Sequence, residues 1–260
     1  MSKNNSIGQS VNPGGGRDAA KLWDAQTRIL HWINVVAVIL LAFTGGMIMF
    51  SHLLHMGARP TEVMLKTLHA FVGYVVVSGL SLRLLWGFIG SPPSRWRAVL
   101  PNRAVRRQFW RDFYGLITRR PDASVARLLF SRVVTTTIFA LLFIMAATGM
   151  FRAATDLYHP PFGPLFADYL AAPGVDPATL LPMDSAGADP ARWRLLMKFK
   201  TAVIGKIHEW GAYVLLTLGA LHIAGAVMTE SRSGGAVIGP MFTGLRPLPR
   251  KAKESNPADA

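Results

Sequence analysis

The chain has 260 residues, 51% of them hydrophobic, a formal net charge of +14 and no cysteine. Without thiols it cannot form disulfides, cysteine-bound iron–sulfur or zinc sites, or the C-x-x-C-H attachment of c-type haem. Its apolar residues gather into runs of membrane length, which excludes an ordinary soluble domain. The surplus of bases is therefore read as membrane topology and contact with anionic lipid, not as nucleic-acid binding.

Residues 1–22, rich in Asn, Ser and Gly, read as a flexible tail. The first apolar span is Ile29–Phe50. It is too long for a signal-peptide core, and no small-residue cleavage site follows it, so it is expected to be retained. The second span is Leu65–Ile89, the third Val133–Phe151 and the fourth Val203–Met228. Each offers about the 20 apolar residues that a helix needs to cross a bilayer. None contains proline, and none alternates with period two, so a barrel is excluded. The expected fold is all-α: a four-helix membrane bundle over residues 23–230, followed by a tail over 231–260.

Lys and Arg set the expected orientation. Between the second and third spans stand ten arginines, from Arg95 to Arg132, against Asp112 and Asp122. The two tails add Lys3, Arg17, Lys21 and Arg28, then Arg232, Arg246, Arg250, Lys251 and Lys253. These regions share one side, expected to be the cytoplasm, which places both termini there. The long loop of residues 152–202 falls on the opposite side and balances its bases with Asp156, Asp168, Asp176, Asp184 and Asp189. Its prolines, from Pro160 to Pro190, leave two readings: a compact cap with helical pieces at Pro164–Ala172 and Pro190–Lys200, or a disordered loop.

Four of the seven histidines fall inside spans, where a polar ring is costly and usually functional. His31 lies near the cytoplasmic start of the first span, and His222 near the cytoplasmic end of the fourth. His69 and His208 lie near the periplasmic starts of the second and fourth. The four therefore form two level pairs, each across two helices. His208 and His222 are 14 residues apart, which is about 21 Å along the axis and about 40° from alignment. Both rings face one interior stripe. Two imidazoles are too few for a closed tetrahedral zinc site, which needs four ligands. They suffice for haem, whose porphyrin supplies the other four nitrogens. The expected cofactors are two haem b, with His31, His222, His69 and His208 as the metal ligands.

Gly45, Gly46, Gly73, Gly211, Gly219 and Gly225 lie near these levels; beside the histidines, Gly45 and Gly73 are read as making room for a macrocycle, against plain small-residue packing of helices. Arg83, 14 residues after His69, lies at the depth of the cytoplasmic pair. It is read either as a partner of haem propionates or as snorkelling to the interface. His52, His55 and His159 read as interfacial or loop residues.

With these residues placed, the chain resembles the bacterial di-haem cytochrome b family. That family includes the b-type cytochrome subunits of nickel–iron hydrogenases, the formate dehydrogenase gamma subunit and bacterial cytochrome b-561. The matching stretches are W-D-A-Q-T-R-I-L-H-W (Trp23–Trp32), L-H-A-F-V-G-Y (Leu68–Tyr74), R-L-L-W-G-F (Arg83–Phe88) and K-I-H-E-W-G-A-Y…L-H-I-A-G (Lys206–Gly225). The third span carries only a general T-G-M pattern. The tail Thr229–Gly244 looks most like the hydrogenase type. The resemblance implies the same histidine pairing and electron exchange between membrane quinone and a periplasmic redox subunit: a hydrogenase, a dehydrogenase or a cytochrome c. It implies a subunit of an oxidoreductase rather than a complete enzyme. Two other functions stay open from the residues: a stand-alone oxidoreductase acting on a small reductant, with Arg192, Arg194, Lys198, Lys200 and Lys206 steering an anion, and a haem or metal carrier.

Overall fold

A computed structural model describes residues 19–100, 123–233 and 237–247. Residues 1–18 of the expected N-terminal tail, six arginines between Arg103 and Arg120, and residues 248–260 lie outside the described residues. In chain order the elements are β1 (Ala19–Lys21), α1 (Ala25–Met49), α2 (Arg59–Ile89), α3 (Trp96–Val99), α4 (Ala123–Asp156), α5 (Gly163–Leu170), α6 (Pro190–Phe199), α7 (Lys206–Ser233), α8 (Gly239–Thr243) and β2 (Leu245–Pro247). A π-helical turn over Lys200–Gly205 joins α6 to α7. The result is one helical rod, whose candidate span is Pro190–Ser231.

Four helices are long and apolar enough to cross a membrane: α1, α2, the residues of α4 from Arg132 onward, and the α6–α7 rod. Each overruns the apolar stretch that marks it in the sequence. Apolarity reports the part of a helix that meets lipid, whereas hydrogen bonding continues into polar ends that can be capped. Thus α1 starts four residues before Ile29, where the Asp24 carboxylate accepts the Thr27 N–H at 2.8 Å. α2 starts at Arg59, with Pro60 and Glu62 suiting its first turn.

α1 packs along α2, α4 along α7, and α2 along α4; no comparable seam joins α1 to α7. The two hairpins thus meet through one side and stay open on the other. Midway along the bundle, Ala37, Val76, Leu80, Leu142 and Leu215 form the buried core, one or two from each helix. Around the outside, Ile29, Val36, Ile39 and Phe43 of α1 and Phe71, Leu85, Phe88 and Ile89 of α2 are exposed. Large apolar side chains on every outward face are what a hydrocarbon solvent requires.

Beyond α4 the chain builds a cap with a core of its own. Ala167 and Leu170 of α5 pack with Leu180, Ala188 and Leu196, and Phe151, Phe166 and Trp193 close around them. A bridge between Ala171 and Ala188 ties the loop, and the Asp189 carboxylate caps α6 on the N–H groups of Ala191 and Arg192. The opposite end is closed by the first and last of the described segments. There β1 pairs antiparallel with β2, Ala19 opposite Pro247 and Lys21 opposite Leu245.

Candidate functional site

At the cap end, α2 carries His69 and α7 carries His208 toward each other. Their ring centroids are 6.3 Å apart and the rings are inclined by 71°. Each ring is held from behind by a threonine of the partner helix in its own hairpin. Thr44 Oγ1 of α1 lies 2.9 Å from His69 Nδ1, and Thr148 Oγ1 of α4 lies 2.8 Å from His208 Nδ1. The next residue after each threonine is a glycine against the same ring. A Cβ on Gly45 would stand 3.3 Å from Cε1 of His69, and one on Gly149 would stand 3.4 Å from Cε1 of His208. Among the described residues neither Nε2 makes a hydrogen bond.

This arrangement has the spacing of two imidazoles that could share one metal. Two metal–imidazole bonds of roughly 2 Å each, lengthened at both ends by the radius of a five-membered ring, give about the separation observed. Among the described residues no group of three or more His, Asp or Glu could hold a bare ion. The pair therefore suits a metal whose remaining ligands arrive with it.

At the terminal end α1 carries His31 and α7 carries His222, with no ring contact between them like that of His69 and His208 among the described residues. His31 is half-buried, and its Nδ1 is buried without a hydrogen-bond partner among the described residues; His222 is exposed. Trp32 stands edge-on to His31 at 5.3 Å. It also donates its indole N–H to the Met241 carbonyl at 3.1 Å and stacks on Phe242 at 4.6 Å. The tail is thus folded onto the start of α1. Arg28 donates to the Phe242 carbonyl, and the Glu230 carboxylate accepts the N–H groups of Val237, Ile238 and Gly239. Composition alone marks residues 231–260 only as a tail; residues 237–247 are part of the fold.

A polar knot underlies this end. The buried Asp24 carboxylate accepts from Ser91 at 2.6 Å, Ser94 at 2.8 Å and the Trp86 indole at 3.0 Å, besides its own cap. Burial alone would raise this carboxyl, but the hydrogen bonds from Ser91, Thr27 and Ser94 outweigh it and hold the group well below the usual carboxylate range. Arg83 is buried here. Its Nη2 donates to the Ser94 carbonyl at 3.0 Å, its guanidinium lies 4.8 Å from the Trp96 ring centre, and its Nη1 has no partner among the described residues.

The other residues singled out in the sequence distribute differently. Gly73 and Gly46 face open space, with nothing within 4 Å of where a Cβ would stand, as do Gly219 and Gly225; Gly211 instead abuts the Met145 sulfur. His52 packs against Gly57, and His159 lies 5.7 Å from Phe71. Neither they nor His55 gather into a site. Of the cap bases, Lys200 pairs with the buried Asp156, which Lys66 and Arg152 also approach at 3.7 and 3.9 Å. Lys206 pairs with Glu209, and Arg192 donates to the Tyr169 carbonyl. Thr44, Thr148 and Gly149 are site residues that sequence reasoning misses. Their one signal is repetition: T-G-G-M at Thr44–Met47 and T-G-M at Thr148–Met150.

Residues 22–244 match the family model described as prokaryotic cytochrome b561. Three relatives share the chain's length. A probable Ni/Fe-hydrogenase B-type cytochrome subunit of Bradyrhizobium diazoefficiens is 25% identical, over 89% of this chain and 87% of its own. Proteins of the same description from Cupriavidus necator and Rhizobium leguminosarum bv. viciae are 21% identical (91% of each chain) and 25% identical (88% and 90%). No solved structure matches the chain significantly.

Proposed function

Because the chain belongs to the prokaryotic cytochrome b561 family, we propose that it is a multi-pass membrane cytochrome that binds two haem b and carries electrons between a redox subunit and membrane quinone. The observation that carries the reading is the facing pair of His69 and His208, 6.3 Å apart with both Nδ1 atoms on threonine. His31 and His222 are assigned to the second haem. Haem, when bound, supplies a one-electron couple at each level.

The protein's part is to hold, orient and insulate. His69 and His208 present Nε2, and Thr44 and Thr148 fix their rings. Two imidazoles at each level would hold the haem iron from the protein side and would favour electron transfer over oxygen binding. The apolar layer of Ala37, Val76, Leu80, Leu142 and Leu215 keeps water out between the levels. Arg83 Nη1, buried and unpaired among the described residues, is assigned to a propionate of the terminal-end haem. The redox partner is assigned to the cap side, in the periplasm, with both termini in the cytoplasm. Its class follows the relatives named for Ni/Fe hydrogenase.

The test is haem quantification with a reduced-minus-oxidised spectrum on the purified chain. Two haems per chain are expected. His69→Ala or His208→Ala removes one, and His31→Ala or His222→Ala removes the other. Full haem content in all four variants would refute the assignment.

A further inference from the structure

The two histidine levels differ in what stands behind the rings, and the difference is chemical. A threonine hydroxyl has one hydrogen to give and can accept in addition. Thr44 lies 2.8 Å from the Leu40 carbonyl and Thr148 lies 2.8 Å from the Ile144 carbonyl, the helical back-bond that uses that hydrogen. Toward the imidazole each Oγ1 is then an acceptor, so Nδ1 carries the proton and Nε2 presents its lone pair. A ligand ring that donates its second N–H to an acceptor becomes more basic and a stronger donor to the metal. At the other level His31 Nδ1 is buried and no acceptor reaches it among the described residues.

The two sites at the cap end are also copies of each other. In each hairpin the outgoing helix supplies Thr-Gly near its end, and the returning helix supplies the histidine near its start. The threonine accepts from Nδ1 and the glycine leaves room for Cε1.

Resting on the di-haem reading above, we propose that Thr44 and Thr148 are positioning residues that fix the Nδ1-protonated tautomer of His69 and His208 and hold the cap-end haem at a lower potential than the terminal-end haem. Stronger donation favours the ferric state, so this haem is harder to reduce. The terminal-end haem, with no acceptor behind His31, is easier to reduce. Electrons entering at the cap then run downhill toward the terminal end.

The experiment is an equilibrium redox titration of the full-length, haem-loaded protein, with haem content measured on the same samples. His31→Ala, lacking the terminal-end haem, identifies the cap-end component. In the wild type that component is expected to be the lower of the two. Thr44→Val and Thr148→Val remove the acceptor at nearly constant shape. Each is expected to keep two haems and to raise the reduction equilibrium constant of the cap-end haem several-fold, a tenfold change being about 59 mV for one electron. Thr44→Ser and Thr148→Ser are expected to restore the wild-type value. Two haems with unmoved midpoints in the valine variants would overturn the proposal and leave the haem assignment standing. So would a shift confined to the terminal-end haem. A wild-type chain that binds no haem would fail the haem reading itself. Should the valine variants lose the cap-end haem, the comparison of Ser with Ala at the same positions decides. Ser must match the wild type and Ala must be raised, and equal midpoints in the two overturn the proposal.

Discussion

Single side chains decide how each end of the bundle is closed. Asp24 accepts hydrogen bonds from the Thr27 backbone, Trp86, Ser91 and Ser94 while buried beside Arg83 and Trp86. Asp24→Ala removes a helix cap, worth about 1 kcal/mol, and leaves the buried Ser94 hydroxyl without this acceptor, at about 1–3 kcal/mol if it finds no other, with the part-buried Trp86 and Ser91 donors adding less. A clear fall in the thermal midpoint in detergent is expected. The pH dependence has a definite sign. The folded carboxyl lies below its unfolded value of about 3.9, so its contribution is complete above that value and fades as pH falls beneath it. Wild-type melting is therefore expected to drop below about pH 4, and Asp24→Asn to start lower and respond less to acid. Equal acid sensitivity in both proteins would remove Asp24 from this role.

At the scale of elements, the clasp of the chain ends depends on Gly244, whose φ is +79° and where a Cβ would stand 2.9 Å from the Trp23 carbonyl. Gly244→Ala therefore meets both an unfavourable backbone region, costing roughly 1–2 kcal/mol, and a steric clash. It is expected to free the tail, read as faster proteolysis after residue 233, with the haem held by His69 and His208 unchanged. The π-helical turn at Lys200–Gly205 is the second such joint. Deleting Ala202 would turn the cap helix by about 100° against α7 and break the Lys200–Asp156 pair. Loss of cap protection with both haems retained is the expected outcome. The spans and the common depth of His69 and His208 are legible in the sequence because length and depth along a helix are one-dimensional quantities. Lateral relations are not. Thr44 and Thr148 read as small polar residues tolerated by a membrane helix, and only the packing of α1 on α2 and α4 on α7 turns them toward imidazoles. The tail at residues 237–247 is equally hidden, since Met241 and Phe242 reveal their purpose only against Trp32. The depth of Arg83 can be read from its spacing to His69, but its hold on the Ser94 carbonyl depends on a short loop returning beneath α2.

For the whole molecule, the proposed topology can be tested by labelling, because the native chain has no cysteine to confuse a label. A cysteine introduced for the exposed Ser185 of the cap is expected to react with an impermeant maleimide on intact cells. One introduced for Ser2 is expected to react only after lysis. The reverse pattern would invert the assigned topology. The buried layer of Ala37, Val76, Leu80, Leu142 and Leu215 then has an energetic consequence. Its five side chains are all apolar, so an electron passing between the two levels crosses a low-dielectric layer there. An electron transfer between the levels moves negative charge over about 21 Å of a hydrocarbon core about 30 Å thick. A full crossing is worth about 2.3 kcal/mol per 100 mV. The protein would thus behave as a voltage-loaded conductor: an energised membrane, negative inside, opposes inward flow, and an uncoupler releases it.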